Sequence, residues 1–257
     1  MGEAIVSGLV RAGVARAEDL CVTEAVEERR RALGATHAGL RVVADVKDGV
    51  ANCDAVLIAV KPQDFGKLAE HLSAALASDQ VVISIMAGVR IATLVERLRH
   101  ERVVRVMPNT PASLGAGFSA WMATDEVSAE QRELTRRILG ALGREAEMHE
   151  ERYLDMATAI SGSGPAYVFL FVEALINAGV HVGMPRAIAT EMVLQTVEGS
   201  VAMLRASGEH PAVLRDAVTS PAGTTAAALQ IIERSGMRGT VTDAVVAAFE
   251  RSQSLGG

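Results

Sequence analysis

The run Asp54-Ala-Val-Leu-Ile-Ala-Val60 constrains this chain more than any other stretch. One acid is followed only by small or branched apolar residues, which reads as a strand without a polar face. Such a strand needs cover on both sides, and helices on both faces of a parallel sheet provide it.

The flanking sequence supplies the parts of that sheet. Short apolar runs at 20–23, 40–43, 81–85, 103–107 and 118–122 read as further strands. Between them lie amphipathic stretches at 24–33, 65–76, 91–98 and 128–142. Gly34 is expected to stop the first of these, and Ser128 with Gln131 has capping-box spacing at the start of the last. Gly2 leads directly into another helix, with Ile5, Val6, Leu9 and Val10 apolar. Alternation of this kind implies right-handed crossovers and a parallel sheet.

After about residue 150 the strand signals stop. Helical patterns at 152–159, 165–179, 185–206, 211–218, 225–234 and 240–254 fill the rest, separated by Gly, Pro and Ser. The expected organisation is a dinucleotide-binding α/β domain over 1–150 and an all-helical domain over 151–257. Pro165 suits a first helical position, with Ser163 or Gly164 as its cap.

Composition narrows the function classes. Apolar residues make up 49% of 257 and aromatics only 3%, so aliphatic side chains carry the packing. The net charge of −6 and the lack of a basic run beyond Arg29-Arg30-Arg31 argue against a nucleic-acid partner. The stretch 166–182 is the most membrane-like, but Glu173, Asn177 and His181 form one polar stripe on it. A buried helix of a soluble core is expected there rather than a bilayer span. Cys21 and Cys53 form no C-x-x-C pair and read as buried, reduced thiols of a cytoplasmic protein. The N-terminus has no basic region or cleavage site of a signal peptide. The six histidines have no metal-ligand spacing, so no metal is expected.

Nucleotide sites of open α/β sheets lie outside the carboxyl ends of the strands. Gly2 opens a helix whose free N–H groups could face a pyrophosphate. Ala59, Val60, Lys61 and Pro62 follow one strand, and Met86, Ala87 and Gly88 follow the next. Glu24 ends another strand about 20 residues past Gly2, where an acid commonly binds ribose hydroxyls. Taken alone, Glu24 reads equally well as a first-turn helix acid. As a ribose ligand it would favour NADH, while Arg29 or Arg30 could instead receive a 2′-phosphate.

In the helical half, Thr219-Ser-Pro-Ala-Gly-Thr-Thr-Ala226 is unusual. A helix start with free N–H groups and several hydroxyls could bind an anion such as a carboxylate. The plainer alternative is N-capping by one threonine, which needs a single hydroxyl. Glu151 reads in isolation as a surface acid. The shortage of acid–base groups fits chemistry done by a cofactor.

Together these residues resemble the pyrroline-5-carboxylate reductase family along essentially the whole chain. Met1-Gly2-Glu3-Ala4-Ile5 is similar to the end of its glycine turn. Ala59-Val60-Lys61-Pro62 and Met107-Pro-Asn-Thr-Pro111 match two recurrent turns. Ser161-Gly-Ser-Gly-Pro-Ala-Tyr167 matches the entry to its helical domain, and the stretch from Leu214 through 219–225 to Glu233 matches its long signature. The resemblance implies a Rossmann-type α/β domain binding NADPH or NADH, then an all-α domain that forms intertwined dimers, often assembled into decamers. It implies reduction of the C=N bond of 1-pyrroline-5-carboxylate to L-proline. By position, Gly2, Ala59 to Pro62, Met86 to Gly88 and Asn109 would line the dinucleotide. Glu151, Ser220, Gly223, Thr224 and Thr225 would face the substrate, with Thr225 near the reacting nitrogen.

Two departures accompany the resemblance. Val46 stands where many members have an asparagine near the adenine. The family's first strand and the first two glycines of its turn have no counterpart ahead of Met1. The sequence therefore reads as one whose start falls inside the turn. Without that strand, Val22 and Val56 are expected to lack the neighbour that joins the two halves of the sheet. A β-hydroxyacid dehydrogenase of similar layout would need a lysine on the first long helix of the second domain, and 165–179 has none. A non-catalytic helical oligomer is the remaining alternative.

Overall fold

The computed structural model describes residues 1–255. They divide into two compact units. The first is Met1–Ser163 together with the C-terminal stretch from Ala248, and the second is Gly164–Ala247. The change from strand to helix pattern near residue 150 precedes this division, because the helix Arg152–Ala157 packs on two strands of the first unit.

The first unit runs α1 (Gly2–Arg11), β1 (Cys21–Thr23), α2 (Glu27–Thr36), β2 (Arg41–Val43), α3 (Val46–Val50), β3 (Ala55–Ile58), α4 (Phe65–Ser73) and β4 (Val81–Ser84). It continues with α5 (Ile91–Leu98), β5 (Val103–Met107), β6 (Gly117–Ala123), α6 (Ala129–Gly140), β7 (Gly143–Glu147) and α7 (Arg152–Ala157). A π-helical turn, Thr158–Gly162, closes it. Most of these match the sequence expectation, and the Ser128–Gln131 capping box forms as read. Four points differ. α2 runs through Gly34 to Thr36 instead of stopping at it. The helix α3, started by the Asp45 side chain accepting from the Lys47 N–H, has too few residues for a periodic signal. β7 was not expected at all. Finally, β6 is antiparallel to β5. The connection between them holds only a 3-10 turn, Thr110–Leu114, and a parallel return would need a longer crossover.

The strands form two sheets, β1-β2 and β3-β4-β5-β6-β7. Val22 pairs with Val42 in one, Val56 with Val82 in the other, the division expected with no strand between them. This division also changes the role of the 54–60 run. β3 lies at the edge of its sheet, and Ala55, Val56 and Leu57 are only half-buried. β4 is buried on both faces, as is most of β5. Val81 and Ile83 meet Ile5 and Leu9 of α1, Leu139 of α6 and the fully buried Trp121. Val82 points the other way, to Phe65 and Leu72 of α4 and Leu94 and Leu98 of α5. Each such side chain contributes about 1.5–3 kcal/mol by leaving water. This three-layer order places the carboxyl ends of β3, β4 and β5 along one margin.

The second unit holds α8 (Gly164–His181), α9 (Arg186–Ser207), α10 (Pro211–Ala217), α11 (Thr224–Arg234) and most of α12 (Met237–Leu255). α8 and α9 approach closely where a Cβ on Gly179 would lie 3.1 Å from that of Ala189. Contrary to the expectation of a buried core helix, α8 has no buried residue, and Phe169 and Leu170 are 66% and 67% exposed. Its apolar surface is wider than the face that α9 covers. The helical run Arg152–His181 is long and apolar enough, by length and composition, to cross a membrane. The cysteines are half-buried rather than buried; Arg41 Nε donates to Cys21 Sγ at 3.2 Å.

Candidate active site

In the first unit, α1 begins at Gly2 after Met1, and no side chain caps its end. Its first N–H groups are therefore available to an anion. A Cβ on Gly2 would lie 3.4 Å from that of Ala59, so the turn after β3 adjoins this helix start. Lys61 and Pro62 continue that turn into a 3-10 segment. After β4 come Met86, Ala87 and Gly88, with Gly88 at φ +74°. A side chain there would be strained. These features fit the diphosphate of a dinucleotide: an uncapped helix end, a glycine in close approach and a second strand turn beside them.

Glu24 lies just past β1, and its carboxylate is held from two sides. Oε1 accepts from the Val26 N–H at 2.9 Å, and Oε2 lies 3.4 Å from Arg29 Nε. Arg30 instead donates to the carbonyls of Glu24 and Ala25. The carboxylate is thus fixed at the strand end, with one arginine beside it and the other engaged by backbone.

Asn109 follows β5, but both ends of its amide are used within the protein. Nδ2 donates to Ser161 Oγ and Oδ1 accepts from the Phe118 N–H, each at 3.0 Å. Asn109 ties the start of β6 to the π-helical turn. Glu151 is likewise engaged. Its Oε1 accepts from the Ile91 N–H at 2.8 Å and from Arg105 Nη1 at 2.7 Å. It is no free surface acid. Sequence reasoning missed its partner, although an arginine within Val103-Val-Arg-Val-Met107 was a visible signal: a charge in an apolar strand needs a buried counter-charge.

In the second unit, α11 starts at Thr224 with Gly223 as N-cap and no capping side chain. The threonine-capping alternative is thereby set aside. Thr219 Oγ1 donates back to the Arg215 carbonyl, and the Gly223 N–H closes the turn on the Ser220 carbonyl. Ala222 takes φ +55°, a left-handed conformation uncommon for residues with a Cβ. A Cβ on Gly223 would lie 2.3 Å from Ser220 Oγ and 3.1 Å from the Ser220 carbonyl oxygen, so a larger residue would turn the hydroxyl away from this loop. A cleft beside this loop is lined by Arg215, Ala222, Gly223, Ala226 and Gln230. Arg215 in this cleft pairs with its neighbour Asp216 at 2.9 Å. No group of three or more His, Cys, Asp or Glu among the described residues could hold a metal ion.

Residues 151–255 match the family model for pyrroline-5-carboxylate reductase dimerisation. Residues 1–88 match that for NADP oxidoreductase, coenzyme F420-dependent. The pyrroline-5-carboxylate reductase of a Synechocystis strain is 40% identical over 256 residues, covering 100% of this chain and 95% of that protein.

The chain belongs to the pyrroline-5-carboxylate reductase family. The Mycobacterium leprae member is 42% identical, covering 99% of this chain and 93% of that one. Among solved structures, Plasmodium falciparum pyrroline carboxylate reductase with NADP bound has a TM-score of 0.89 at 34% identity, covering 100% of this chain and 95% of that one. The Coxiella burnetii pyrroline-5-carboxylate reductase has a TM-score of 0.91 at 32% identity, with the same coverage. As a family member the chain is an oxidoreductase of the nicotinamide dinucleotides NADPH or NADH. It has a Rossmann-type first domain and a helical dimerisation domain, through which it self-associates.

Proposed function

We propose that this chain reduces 1-pyrroline-5-carboxylate to L-proline, with residues 1–150 holding NADPH or NADH and 151–257 holding the substrate and the partner subunit. The observation that carries the substrate assignment is the α11 start, where Gly223 is the N-cap and no side chain satisfies the N–H groups. The Ser220 hydroxyl and those N–H groups are suited to the substrate carboxylate. The bound dinucleotide supplies the hydride that goes to the imine carbon. The ring nitrogen then carries the new electron pair and needs a proton. The Thr225 hydroxyl makes a hydrogen bond at that nitrogen and orients the ring. It is too weak an acid to be the proton source at neutral pH, so the proton comes from water or arrives on an iminium substrate. Rate enhancement comes chiefly from holding two reactants in order.

Gly2, Glu24, Ala59, Val60, Lys61, Pro62, Met86, Ala87 and Gly88 line the dinucleotide. Asn109 supports that site through Ser161 and Phe118. Supporting this reading are the uncapped start of α1, its contact with Ala59 and the strand-end position of Glu24. The exposed apolar surface of α8 is the dimer surface of a cytoplasmic homodimer that assembles further into decamers and binds neither membrane nor nucleic acid. Its place within the residues that match the dimerisation model supports this.

The test is a pair of variants. Thr225→Val should lower kcat by roughly tenfold, the worth of one hydrogen bond to a developing charge. Ser220→Ala should raise the KM for 1-pyrroline-5-carboxylate with little effect on dinucleotide binding. Unchanged constants in both variants would remove this loop from the site.

A further inference from the structure

Arg105 sits in the middle of β5 with its side chain 4% exposed. Two carboxylates surround it. Glu151 Oε1 is 2.7 Å from Nη1, and Asp155 Oδ1 is 3.6 Å from Nη2. Each carboxylate has a further donor: the Ile91 N–H reaches Glu151, and Ser252 Oγ, itself buried, reaches Asp155 at 3.2 Å. A buried ion pair holds a geometry only if the remaining lone pairs are satisfied. Here the extra donors come from two functionally placed segments.

Ile91 is the first residue of α5, just past the turn Met86-Ala-Gly-Val-Arg90. Ser252 belongs to the last turns of α12, and those turns reach the same place. A Cβ on Gly88 would lie 3.3 Å from the Leu255 carbonyl oxygen. The turn after β4 is therefore fixed at its far end by Glu151 and overlain at Gly88 by the end of α12. Arg105 is buried, with one carboxylate at each end of its guanidinium.

We propose that Arg105, Glu151, Asp155 and Ser252 form a positioning network that holds the turn 86–90 in its dinucleotide-binding shape, so that Glu151 sets affinity for the dinucleotide and not for the pyrroline. This rests on the reading that Met86, Ala87 and Gly88 line the dinucleotide. It replaces the expectation, drawn from resemblance, that Glu151 faces the substrate. Glu151 and Ser252 are positioning residues, since they act through the turn.

The experiment uses the full chain and titrates NADH and NADPH by fluorescence, then measures the KM for 1-pyrroline-5-carboxylate at saturating dinucleotide. In Glu151→Gln the dinucleotide Kd should rise about tenfold, the cost of a lost charged hydrogen bond, while the substrate KM stays within about twofold. Ser252→Ala should raise the same Kd about threefold, and Ser252→Thr should restore it. A purely structural role would lower Tm without this split between the two ligands. A raised substrate KM in Glu151→Gln, or an unchanged dinucleotide Kd, overturns the proposal. If Glu151→Gln does not fold, Ser252→Ala and Ser252→Thr decide: a rise that threonine restores supports the network, and an unchanged Kd overturns it. Failure of the unsubstituted chain to bind either dinucleotide would instead refute the proposed cofactor site, and this inference with it.

Discussion

Gly143 and Gly117 meet backbone to backbone where β7 begins to pair with β6: a Cβ on Gly143 would lie 2.2 Å from the Gly117 carbonyl oxygen. Gly143 also has φ +139°, a conformation that side chains rarely adopt. Gly143→Ala is therefore expected to cost roughly 3 kcal/mol, combining backbone strain with overpacking. Gly34 is the contrast. It lies within α2, has no atom near a built Cβ and has no positive φ. Gly34→Ala should stabilise by about 0.5–1 kcal/mol, since alanine loses less backbone entropy in a helix. Urea denaturation of both variants checks the pair.

Removing Arg105 would leave Glu151 and Asp155 facing each other without their shared cation. Arg105→Ala should lower stability by about 3–5 kcal/mol, the usual result of breaking a buried ion pair from one side. Thermal unfolding measures this directly. A loss near that of an exposed pair, at or below about 1 kcal/mol, would contradict the buried network.

Phe169 and Leu170 are exposed on α8 within a region that matches a dimerisation model. Phe169→Glu should weaken self-association by at least about 2 kcal/mol, as for a central apolar contact. Light scattering over a dilution series would show monomer appearing at higher concentration than for the unsubstituted chain. An unchanged dimer would place the interface elsewhere.

Burial pushes the Cys53 thiol pKa up, and nearby Cys21 adds to the shift. A raised pKa means less thiolate at a given pH, and the thiolate is the reactive form. Alkylation of Cys53 at about pH 8 should be slower than that of an unstructured cysteine, and should accelerate as pH rises further. Peptide mass spectrometry over time tests this.

Much of the first unit was legible because apolar periodicity and burial coincide there. The 81–85 and 103–107 runs are β4 and β5, and the Ser128 box caps α6 as its spacing required. β7 was hidden because Gly-Arg-Glu-Ala-Glu carries no apolar alternation. Polar contacts hold it instead: Glu147 pairs with Arg132 and Arg136, and Glu145 accepts from Trp121 Nε1. The edge position of β3 was not legible either, since an apolar run signals burial but not which neighbours provide it. The glycine and hydroxyl pattern at 219–225 marked the start of α11, where Gly223 is the N-cap. The engagement of Glu151 and Asn109 depends on partners 46 and 52 positions away, Arg105 and Ser161. Spacing within one motif does not report such contacts.

The most direct test of the account is oxidation of NADH and, separately, NADPH by the purified chain, with and without 1-pyrroline-5-carboxylate, while proline is quantified. The account predicts substrate-dependent oxidation with one proline formed for each dinucleotide consumed. Dinucleotide binding without substrate-dependent oxidation, or oxidation without proline, would contradict it.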